Sequence, residues 1–252
     1  MTRAFVVTGG GRGIGRAVVE RLVAEGGAVV AIERDAEALA WASGGPVMAV
    51  VGDASSEEVA GRAADLAEGA GTLSGWVNNA AVFRDASLHS APVREVLDLI
   101  GVNLDAPVVG CATAIRRFLA AGTPGAIVNV TSHQARMAVP GCTPYVTAKA
   151  AIEGLTRALA VEYGPRGIRV NAVAPGSVRT ERYEEFLDAQ GPENAARIER
   201  EMGDLHPLGR VARAAEVAAA IVHLLSADAS FITGATVPVD GGRTVLAHDP
   251  EG

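Results

Sequence analysis

The sequence predicts an α/β fold in which a doubly wound parallel sheet of about seven strands carries helices on both faces. Three observations predict it. Short apolar runs rich in β-branched residues alternate with longer helical patterns along the 252 residues. These runs are predominantly apolar rather than alternating, as expected of parallel strands that are buried on both faces of a sheet. A glycine-rich turn also joins the first run to the first helix.

Each predicted strand is a short apolar run bounded by turn residues. The runs lie at residues 4–8, 28–32, 46–51, 73–77, 126–131, 168–173 and 235–239. No linker, repeat or low-complexity segment interrupts them, so we predict a single domain over residues 1–252. Because ligands of such sheets bind outside the carboxyl ends of the strands, the motifs that follow these runs form the candidate site.

Helical patterns fill the intervals between the strands. They lie near residues 14–23, 35–43, 55–69, 90–121 and 213–226. Another helix follows the fifth strand, where Thr143 is expected to cap its start, Pro144 suits its first turn and Gly164 ends it. The stretch 176–212 is polar, charged and irregular, and we predict a substrate-binding lid at about 176–205.

Composition excludes several classes of function. The chain has 22 Lys and Arg against 29 Asp and Glu, so it lacks the positive surface that a nucleic acid needs. No apolar run is long enough to cross a membrane. Cys111 and Cys142 form no disulfide framework, and the five histidines are scattered, so we predict a cytoplasmic protein without a metal site.

Lysine usage singles out one position. Of the 22 basic residues only Lys149 is a lysine, and all the others are arginines. A lysine provides a compact, titratable ammonium, which arginine cannot provide. A single lysine could also occur by chance in an arginine-rich chain. The residues around Lys149 therefore distinguish a functional requirement for lysine from chance.

The turn after the first strand reads TGGGRGIG over residues 8–15. Glycines let a backbone approach a pyrophosphate, and the following helix start offers free N–H groups with partial positive charge. We predict a dinucleotide site here, although a purely structural turn is the alternative, since the spacing is GxxxGxG rather than GxGxxG. The residues predicted to form the site are Gly9, Arg12, Gly13, Ile14 and Gly15.

Acidic residues after the next strands indicate which dinucleotide binds. Glu33 ends the second strand, where a carboxylate accepts hydrogen bonds from ribose hydroxyls and repels a 2′-phosphate. We therefore predict NAD rather than NADP, although Arg12 and Arg34 could neutralise a phosphate. Asp53 follows the third strand, where it could meet the adenine edge or cap the helix near 55–69.

Tyr145 and Lys149 are four residues apart on one predicted helix, so they share a face. A tyrosine has an ordinary pKa of about 10. A neighbouring ammonium, joined by an oxidised nicotinamide, is expected to lower that pKa and make the phenol a proton carrier. Ser132 ends the fifth strand with its side chain opposite to that of Thr131, and we expect it to orient the reacting oxygen.

Together these motifs resemble those of the short-chain dehydrogenase/reductase family, in its compact single-domain branch. The resemblance covers about residues 3–245. The stretches that carry it are TGGGRGIG (8–15), NNAA (78–81), GVNL (101–104), NVTS (129–132), YVTAK (145–149), NAVAPGSVRT (171–180), HPLGR (206–210) and FITGATVPVDGG (231–242).

The resemblance implies a Rossmann-like fold and an NAD(P)-dependent oxidoreductase that transfers a hydride reversibly between the cofactor and an alcohol or ketone. It implies that Tyr145 is the general acid and base, and that Lys149 lowers its pKa and holds the nicotinamide ribose. It also implies that Ser132 positions the reacting oxygen, and that Asn103 anchors a water linking Lys149 to solvent.

Further cofactor contacts are implied by the same resemblance. Asn79 would lie against the cofactor, Pro175 and Gly176 would shape the nicotinamide pocket, and Val178 and Thr180 would hold the carboxamide. The family's usual state implies a homotetramer, with the helix that bears Tyr145 in one interface.

Three segments are predicted to determine the substrate: the residues after Ser132, the lid, and the loop of Val82, Phe83 and Arg84. Their polar residues indicate a small alcohol or ketone that carries a carboxylate or several hydroxyls, unless they are solvated loop charges. The predicted substrate contacts are Ser132, His133, Gln134 and Arg182.

Two other functions are alternatives to the oxidoreductase. A catalytically silent nucleotide-binding regulator on the same fold would be expected to lose Ser132, Tyr145 or Lys149, and all three are present. An epimerase or dehydratase of the extended relatives shares the YxxxK pair, but it needs a larger C-terminal substrate domain than this chain has room for.

Overall fold

The computed structural model describes residues 2–42 and 45–247. Residues 1 and 248–252 of the predicted domain, and the last residue of the helix predicted at 35–43, lie outside the described residues. The strands are β1 (Arg3–Thr8), β2 (Ala28–Glu33), β3 (Val47–Val51), β4 (Thr72–Asn78), β5 (Gly125–Val130), β6 (Ile168–Pro175), β7 (Val178–Arg179), β8 (Ala212–Arg213) and β9 (Thr236–Val239). The helices are α1 (Gly13–Ala24), α2 (Glu57–Ala70), α3 (Val93–Ala121), α4 (Thr143–Tyr163), α5 (Glu181–Gln190), α6 (Pro192–Asp204) and α7 (Ala214–Leu225).

Seven strands form one parallel sheet in the order β3-β2-β1-β4-β5-β6-β9. The strand order reverses between β1 and β4, so the loops that leave these two strands diverge and open a crevice at the carboxyl edge. The predicted fold class is confirmed. Strands β7 and β8 form a separate parallel pair, in which Val178 lies opposite Ala212.

Side chains of β1 alternate between two apolar layers. Ala4 and Val6 belong to the layer that packs under α2, α3 and α4. Phe5 and Val7 belong to the opposite layer, together with side chains of α1 and α7. Burial on both faces explains why the strand runs are predominantly apolar, and packing of the two layers fixes the positions of the strands at the carboxyl edge of the sheet.

The long helix α3 is the one helix in the described part of the chain that is apolar and long enough to cross a membrane. In its most apolar window 44% is buried inside the protein. It packs against α2, α4 and β4, so its apolar residues belong to the core of the domain.

One local prediction was wrong. Thr143 does not cap α4, because it is the first helical residue and its carbonyl accepts a hydrogen bond of 2.8 Å from the Thr147 hydroxyl. The short helix predicted near 35–43 is present as a 3-10 helix at Glu37–Ala42.

The predicted irregular stretch 176–212 instead contains α5 and α6. The Thr180 hydroxyl caps α5 by accepting a hydrogen bond of 3.4 Å from the Tyr183 N–H. Gly191, at φ +76°, separates the two helices. Leu187 is the buried residue of α5, so neither helix has the continuous apolar stripe by which helices are recognised in a sequence.

Candidate active site

The glycine turn after β1 has the backbone geometry that close approach of a ligand requires. Gly9 and Gly13 have φ angles of +64° and +53°, which side-chain-bearing residues rarely adopt. A Cβ on Gly15 would lie 2.0 Å from the Gly9 carbonyl oxygen, so this glycine lets α1 start directly against the turn. Ile14 is half-buried and packs into the core beneath it. The turn therefore exposes backbone, and the N-terminus of α1, at the edge of the crevice.

Asn79 joins the two loops that diverge from β1 and β4. Its side-chain amide donates to the carbonyls of Thr8 and Gly9 at 3.1 and 3.0 Å. In return, the Thr8 hydroxyl accepts the N–H groups of Asn79 and Ala80, both at 3.0 Å. The family resemblance implies a cofactor contact for Asn79 but none for Thr8, whose hydroxyl stands at the buried carboxyl end of β1.

A cleft of about 500 Å³ runs over this turn. Its walls come from the loops after β1, β2, β3 and β4 and from the start of α5. The predicted site residues that line it are Gly9, Arg12, Gly13, Glu33, Asp53, Asn79, Thr180 and Arg182. Tyr145, Lys149 and Ser132 do not line this cleft.

Charged groups at the outer end of the cleft are paired. The Glu33 carboxylate accepts hydrogen bonds from the N–H groups of Arg34 at 2.8 Å and Gly11 at 3.4 Å. The Arg34 guanidinium lies 3.6 Å from Asp53, and Arg12 forms an ion pair with Asp35. Both arginines that could have favoured a 2′-phosphate therefore have carboxylate partners.

Asp53 lines the cleft and does not cap α2. Its carboxylate accepts hydrogen bonds from the Ser55 N–H and hydroxyl at 2.9 and 2.8 Å, and these hydrogen bonds lower the pKa of Asp53. The cap is Ser56, whose hydroxyl accepts a hydrogen bond of 3.4 Å from the Val59 N–H. The prediction of Asp53 as a helix cap was wrong, because a serine stands next to the helix start.

Lys149 lies one helical turn beyond Tyr145 on α4 and is 2% exposed. Its Nζ donates a hydrogen bond of 2.8 Å to the Val130 carbonyl and lies 5.4 Å from the centre of the Tyr145 ring. Burial lowers the pKa of Lys149 from 10.5 to about 8. The ammonium is thus buried beside the phenol and held by the end of β5.

Tyr145 is half-buried, and burial raises its pKa above 10. A hydrogen bond with Ser132 and the positive charge of Arg182 oppose this rise in the pKa. The expected lowering requires the charge of an oxidised nicotinamide as well as that of Lys149, and it stays a prediction for the protein with its cofactor.

Ser132 follows β5, and its hydroxyl faces Tyr145. The same hydroxyl accepts a hydrogen bond of 3.1 Å from the Gln134 N–H, which fixes the start of a short 3-10 helix. The Thr131 side chain points to the other side, and its hydroxyl donates a hydrogen bond of 2.9 Å to the Lys149 carbonyl. The two neighbouring hydroxyls therefore face opposite sides of the chain. The Ser132 hydroxyl faces Tyr145, and the Thr131 hydroxyl binds the backbone of α4.

His133 is buried behind Ser132, with Nδ1 at 3.1 Å from the Pro175 carbonyl. Burial lowers the pKa of His133 to about 4, so the ring is neutral and Nδ1 carries the proton that the carbonyl accepts. Neither Nε2 of this ring nor Oε1 of Gln134 has a hydrogen-bond partner among the described residues.

The wall after β6 is held by close backbone contacts. A Cβ on Gly176 would lie 2.9 Å from the Asp240 Cα, so only glycine lets β6 run against the loop after β9. The Ser177 N–H donates 3.3 Å to His206 Nε2. Val178 then pairs in β7, which leads to Thr180 at the start of α5.

Asn103 lies on α3 and is 2% exposed. Its side-chain oxygen accepts a hydrogen bond of 2.9 Å from the Val82 N–H, and its amide donates to the Val82 and Leu99 carbonyls at 2.9 and 3.1 Å. The side chain therefore fastens the loop after β4 to α3. A water held by Asn103 stays a prediction.

An aromatic and cationic stack connects the cleft wall to Tyr145. The Phe83 ring packs edge-on against the Tyr145 ring, with centroids 5.0 Å apart. Arg182 lines the cleft, and its guanidinium lies 4.5 Å above the Phe83 centroid. The loop after β4 and the start of α5 thus meet at the phenol, a contact that sequence spacing could not show.

No three His, Cys, Asp or Glu side chains within residues 2–42 and 45–247 come together as a candidate metal site.

The chain is similar to known dehydrogenases and reductases. A family model described as enoyl-(acyl carrier protein) reductase matches residues 9–244. The chain is 41% identical to 2,5-dichloro-2,5-cyclohexadiene-1,4-diol dehydrogenase of Sphingobium indicum, over 97% of this chain and 98% of the relative. It also superposes on an oxidoreductase of the short-chain dehydrogenase/reductase family from Burkholderia thailandensis with a TM-score of 0.86, at 32% identity, over 98% of this chain and 94% of the other.

The chain belongs to the short-chain dehydrogenase/reductase family.

A further solved member, the aldohexose dehydrogenase of Thermoplasma acidophilum, superposes with a TM-score of 0.89 at 30% identity, over 98% of this chain and 96% of the other. Membership makes the chain an oxidoreductase that acts on CH–OH groups with a nicotinamide cofactor. The resemblance inferred from the motifs is confirmed, and the silent-regulator alternative is not favoured.

Proposed function

We propose that this short-chain dehydrogenase/reductase interconverts an alcohol and a ketone, with Tyr145 as general acid and base. The observation that carries the proposal is the convergence of the Ser132 hydroxyl and the buried Lys149 on Tyr145. A nicotinamide dinucleotide, when bound, supplies the hydride acceptor or donor.

The chain's own residues handle the proton. Tyr145 accepts the hydroxyl proton during oxidation and returns it to the carbonyl oxygen during reduction. Ser132 orients that oxygen toward the phenol, and its own orientation is held by the Gln134 N–H. Lys149 stabilises the phenolate form of Tyr145 by its charge and holds the cofactor's ribose, while Asn103 supplies a path to solvent through a bound water.

We propose that the cofactor is NAD. The Glu33 carboxylate lines the outer end of the cleft, where it would accept ribose hydroxyls and repel a phosphate. Arg12 and Arg34 support the proposal because both are already paired with carboxylates. The remaining contacts would come from the glycine turn and the wall after β6: Gly9, Gly13, Ile14, Gly15, Asp53, Asn79, Pro175, Gly176, Val178 and Thr180.

We propose that the substrate carries several hydroxyls and contacts Ser132, His133, Gln134 and Arg182. The Arg182 guanidinium supports this lining, because Arg182 lines the cleft and stacks on Phe83 beside Tyr145. The names of two relatives, 2,5-dichloro-2,5-cyclohexadiene-1,4-diol dehydrogenase and aldohexose dehydrogenase, refer to a diol and an aldohexose as the substrates of those proteins.

The test is the absorbance of reduced nicotinamide with sugars, cyclic diols, hydroxy acids and apolar ketones. We expect cyclic diols or sugars to react and Tyr145→Phe to lower turnover by about 10²–10⁴-fold, because the proton carrier is lost. Tyr145→Phe should still bind NADH, as followed by its fluorescence. Near-wild-type turnover of this variant would contradict the proposed role of Tyr145, and reaction of apolar ketones alone would contradict the proposed substrate.

We also propose a homotetramer with α4 in one interface. Exposed apolar side chains on α3 and α4 support it, among them Val93, Leu97 and Val161, which is 79% exposed. Light scattering of the purified protein tests the assembly, and a monomeric mass would contradict it.

We propose a cytoplasmic location. Both cysteines, Cys111 and Cys142, are free and buried, which fits a reducing compartment. Fractionation of the source cells tests this location, and recovery of the protein outside the cytoplasm would contradict it.

A further inference from the structure

Glu181 places a carboxylate at the N-terminus of α1. Its Oε2 accepts a hydrogen bond of 2.9 Å from the Gly13 N–H, the first amide of that helix. Glu181 is itself the first residue of α5, so the contact joins the lid to the glycine turn. The neighbouring Thr180 lies against the same glycine, since a Cβ on Gly13 would be 3.1 Å from the Thr180 methyl.

The contact satisfies a donor that α1 cannot satisfy by itself. The first N–H groups of a helix have no partner inside the helix and carry partial positive charge, so they favour an anion. Among the described residues, no arginine or lysine lies within ion-pair distance of Glu181. Its carboxylate accepts the hydrogen bond from the Gly13 N–H instead. Arg12 is paired with Asp35, and Arg182 is stacked on Phe83.

A dinucleotide needs the same position. The glycine turn and the start of α1 form the place where a pyrophosphate would be bound by backbone amides. Both Gly13 and Glu181 line the cleft that would hold it. One N–H cannot serve a carboxylate and a phosphate oxygen together, and two anions at this distance repel each other.

We propose that Glu181 is a built-in competitor of the cofactor: its carboxylate takes the pyrophosphate position on α1 in the free enzyme and leaves when the dinucleotide binds. The inference rests on the proposed function, since it requires a dinucleotide at the glycine turn. Rotation of the exposed Glu181 side chain is enough to release Gly13, so Arg182 keeps its place over Phe83. Glu181 thereby sets the affinity for the cofactor and links it to the attachment of the lid.

The size of the effect follows from the competition. A ligand that binds one of two states loses apparent affinity in proportion to the population of the other state. A carboxylate at an exposed helix N-terminus is worth enough to change such a population by about two- to fivefold. Glu181→Gln removes the charge and keeps the shape, so we expect it to tighten binding of pyrophosphate-containing ligands by about that factor.

The experiment measures dissociation constants of NADH, ADP-ribose and adenosine for the full-length wild type, Glu181→Gln and Asp188→Asn. Asp188 is an exposed residue of the same helix and does not line the cleft, so its variant matches the change in charge without touching Gly13 or the bound dinucleotide. We expect Glu181→Gln to bind NADH and ADP-ribose more tightly, adenosine to be unaffected, and Asp188→Asn to behave as the wild type.

Hydrogen exchange provides a second readout that needs no ligand. In the free enzyme we expect Glu181→Gln to speed amide exchange in peptides covering residues 8–16 and 177–186, because the link between the lid and α1 is weakened. Asp188→Asn should leave both peptides unchanged.

Unchanged or weaker binding of ADP-ribose by Glu181→Gln would overturn the inference, and so would an equal gain for adenosine, which lacks the pyrophosphate. If the wild type turns over its substrate while Glu181→Gln shows no gain, the inference alone fails. If the wild type binds neither NADH nor ADP-ribose, the proposed function fails with it.

Discussion

Lys149 is held by its shape as much as by its charge. Its ammonium is buried, donates to the Val130 carbonyl at 2.8 Å and lies next to the Tyr145 ring. A guanidinium is larger and planar and spreads its charge over several atoms, so it cannot take the same position. This explains why a chain that otherwise uses arginine for every basic residue has a lysine here.

We therefore expect Lys149→Arg to lose most of its turnover although the positive charge is kept. The measurement is kcat on the preferred alcohol, with circular dichroism to show that the variant is folded. Arg94→Lys, an exposed change in a residue paired with Asp98, is the matched control and should keep full turnover. A mild loss in Lys149→Arg would mean that only positive charge is needed beside the phenol.

His133 is expected to make stability depend on pH. Burial, aided by the charge of Arg243, lowers its pKa from 6.5 to about 4. Between these values the unfolded chain binds a proton that the folded protein does not, so the stabilisation is complete above pH 6.5 and is lost as the pH falls toward 4. A shift of this size corresponds to about 3 kcal/mol in the free energy of unfolding.

Urea unfolding at pH 7 and pH 4.5 measures this loss. His133→Asn serves as the comparison, because its amide can still donate to the Pro175 carbonyl but does not titrate. The difference between the two pH values should be smaller in this variant than in the wild type. Equal differences would show that other groups cause the pH dependence.

At the scale of the elements, a buried carboxylate of α4 binds the loop that follows Ser132. Glu153 lies two turns beyond Tyr145 on α4, and its side chain is 8% exposed. Arg136, in the loop after Ser132, binds it at 3.2 Å, and Arg157 of the same helix lies at 3.9 Å. Only the first of these pairs spans from loop to helix.

Arg136→Gln should therefore lower kcat several-fold by loosening the loop that carries Ser132, with a smaller change in KM. Its effect on the free energy of unfolding should be about 1 kcal/mol or less, because the arginine is largely exposed. Arg157→Gln removes a charge from the same carboxylate but leaves the loop tied, so its kcat should stay near that of the wild type. Equal losses in both variants would assign the effect to the charge of Glu153 alone.

The lid shows what apolar periodicity misses at this scale. Helices α5 and α6 are mostly exposed, and they are stabilised by a Thr180 cap, by a glycine between them and by ion pairs of Arg179 with Glu184 and Glu199. Threonine and the Gly191-Pro192 pair are visible in the sequence as helix boundaries. Without an apolar stripe, however, the sequence of residues 176–212 predicts an irregular segment rather than two helices.

At the scale of the whole molecule, the crevice lies between β1 and β4, which are the third and fourth of the seven strands in the sheet. Asn79 and Thr8 tie the two sides of the crevice together. A dinucleotide bound there would contact loops from β1, β2, β3 and β4, so its binding free energy adds to the stability of the entire sheet.

We expect NAD⁺ to raise the melting temperature more than NADP⁺ at equal concentration. At about 100 times its Kd, a ligand adds about 2.7 kcal/mol, which corresponds to about 5–10 °C for a chain of this size. Glu33→Ala should reduce the difference between the two cofactors, since it removes the carboxylate that repels the 2′-phosphate. A larger shift with NADP⁺, or a higher kcat/KM with NADPH than with NADH, would contradict the NAD preference.

Several features of this protein were determined by local sequence alone. Buried strands are recognisable because continuous apolar runs have few other stable arrangements, and the glycine turn because positive φ values select glycine. The family follows from motifs such as YVTAK at 145–149, whose two functional residues share a helix face by the geometry of the helix itself.

The tertiary structure decided the contacts between residues that are distant in sequence. The stack of Arg182 on Phe83, the hydrogen bond from Gly13 to Glu181 and the pairing of both cleft arginines depend on how the lid and loops pack. Burial also decided the direction of the Tyr145 pKa in the free enzyme. Spacing along a chain specifies which side chains share an element, whereas desolvation and competition for partners arise only when separate elements meet.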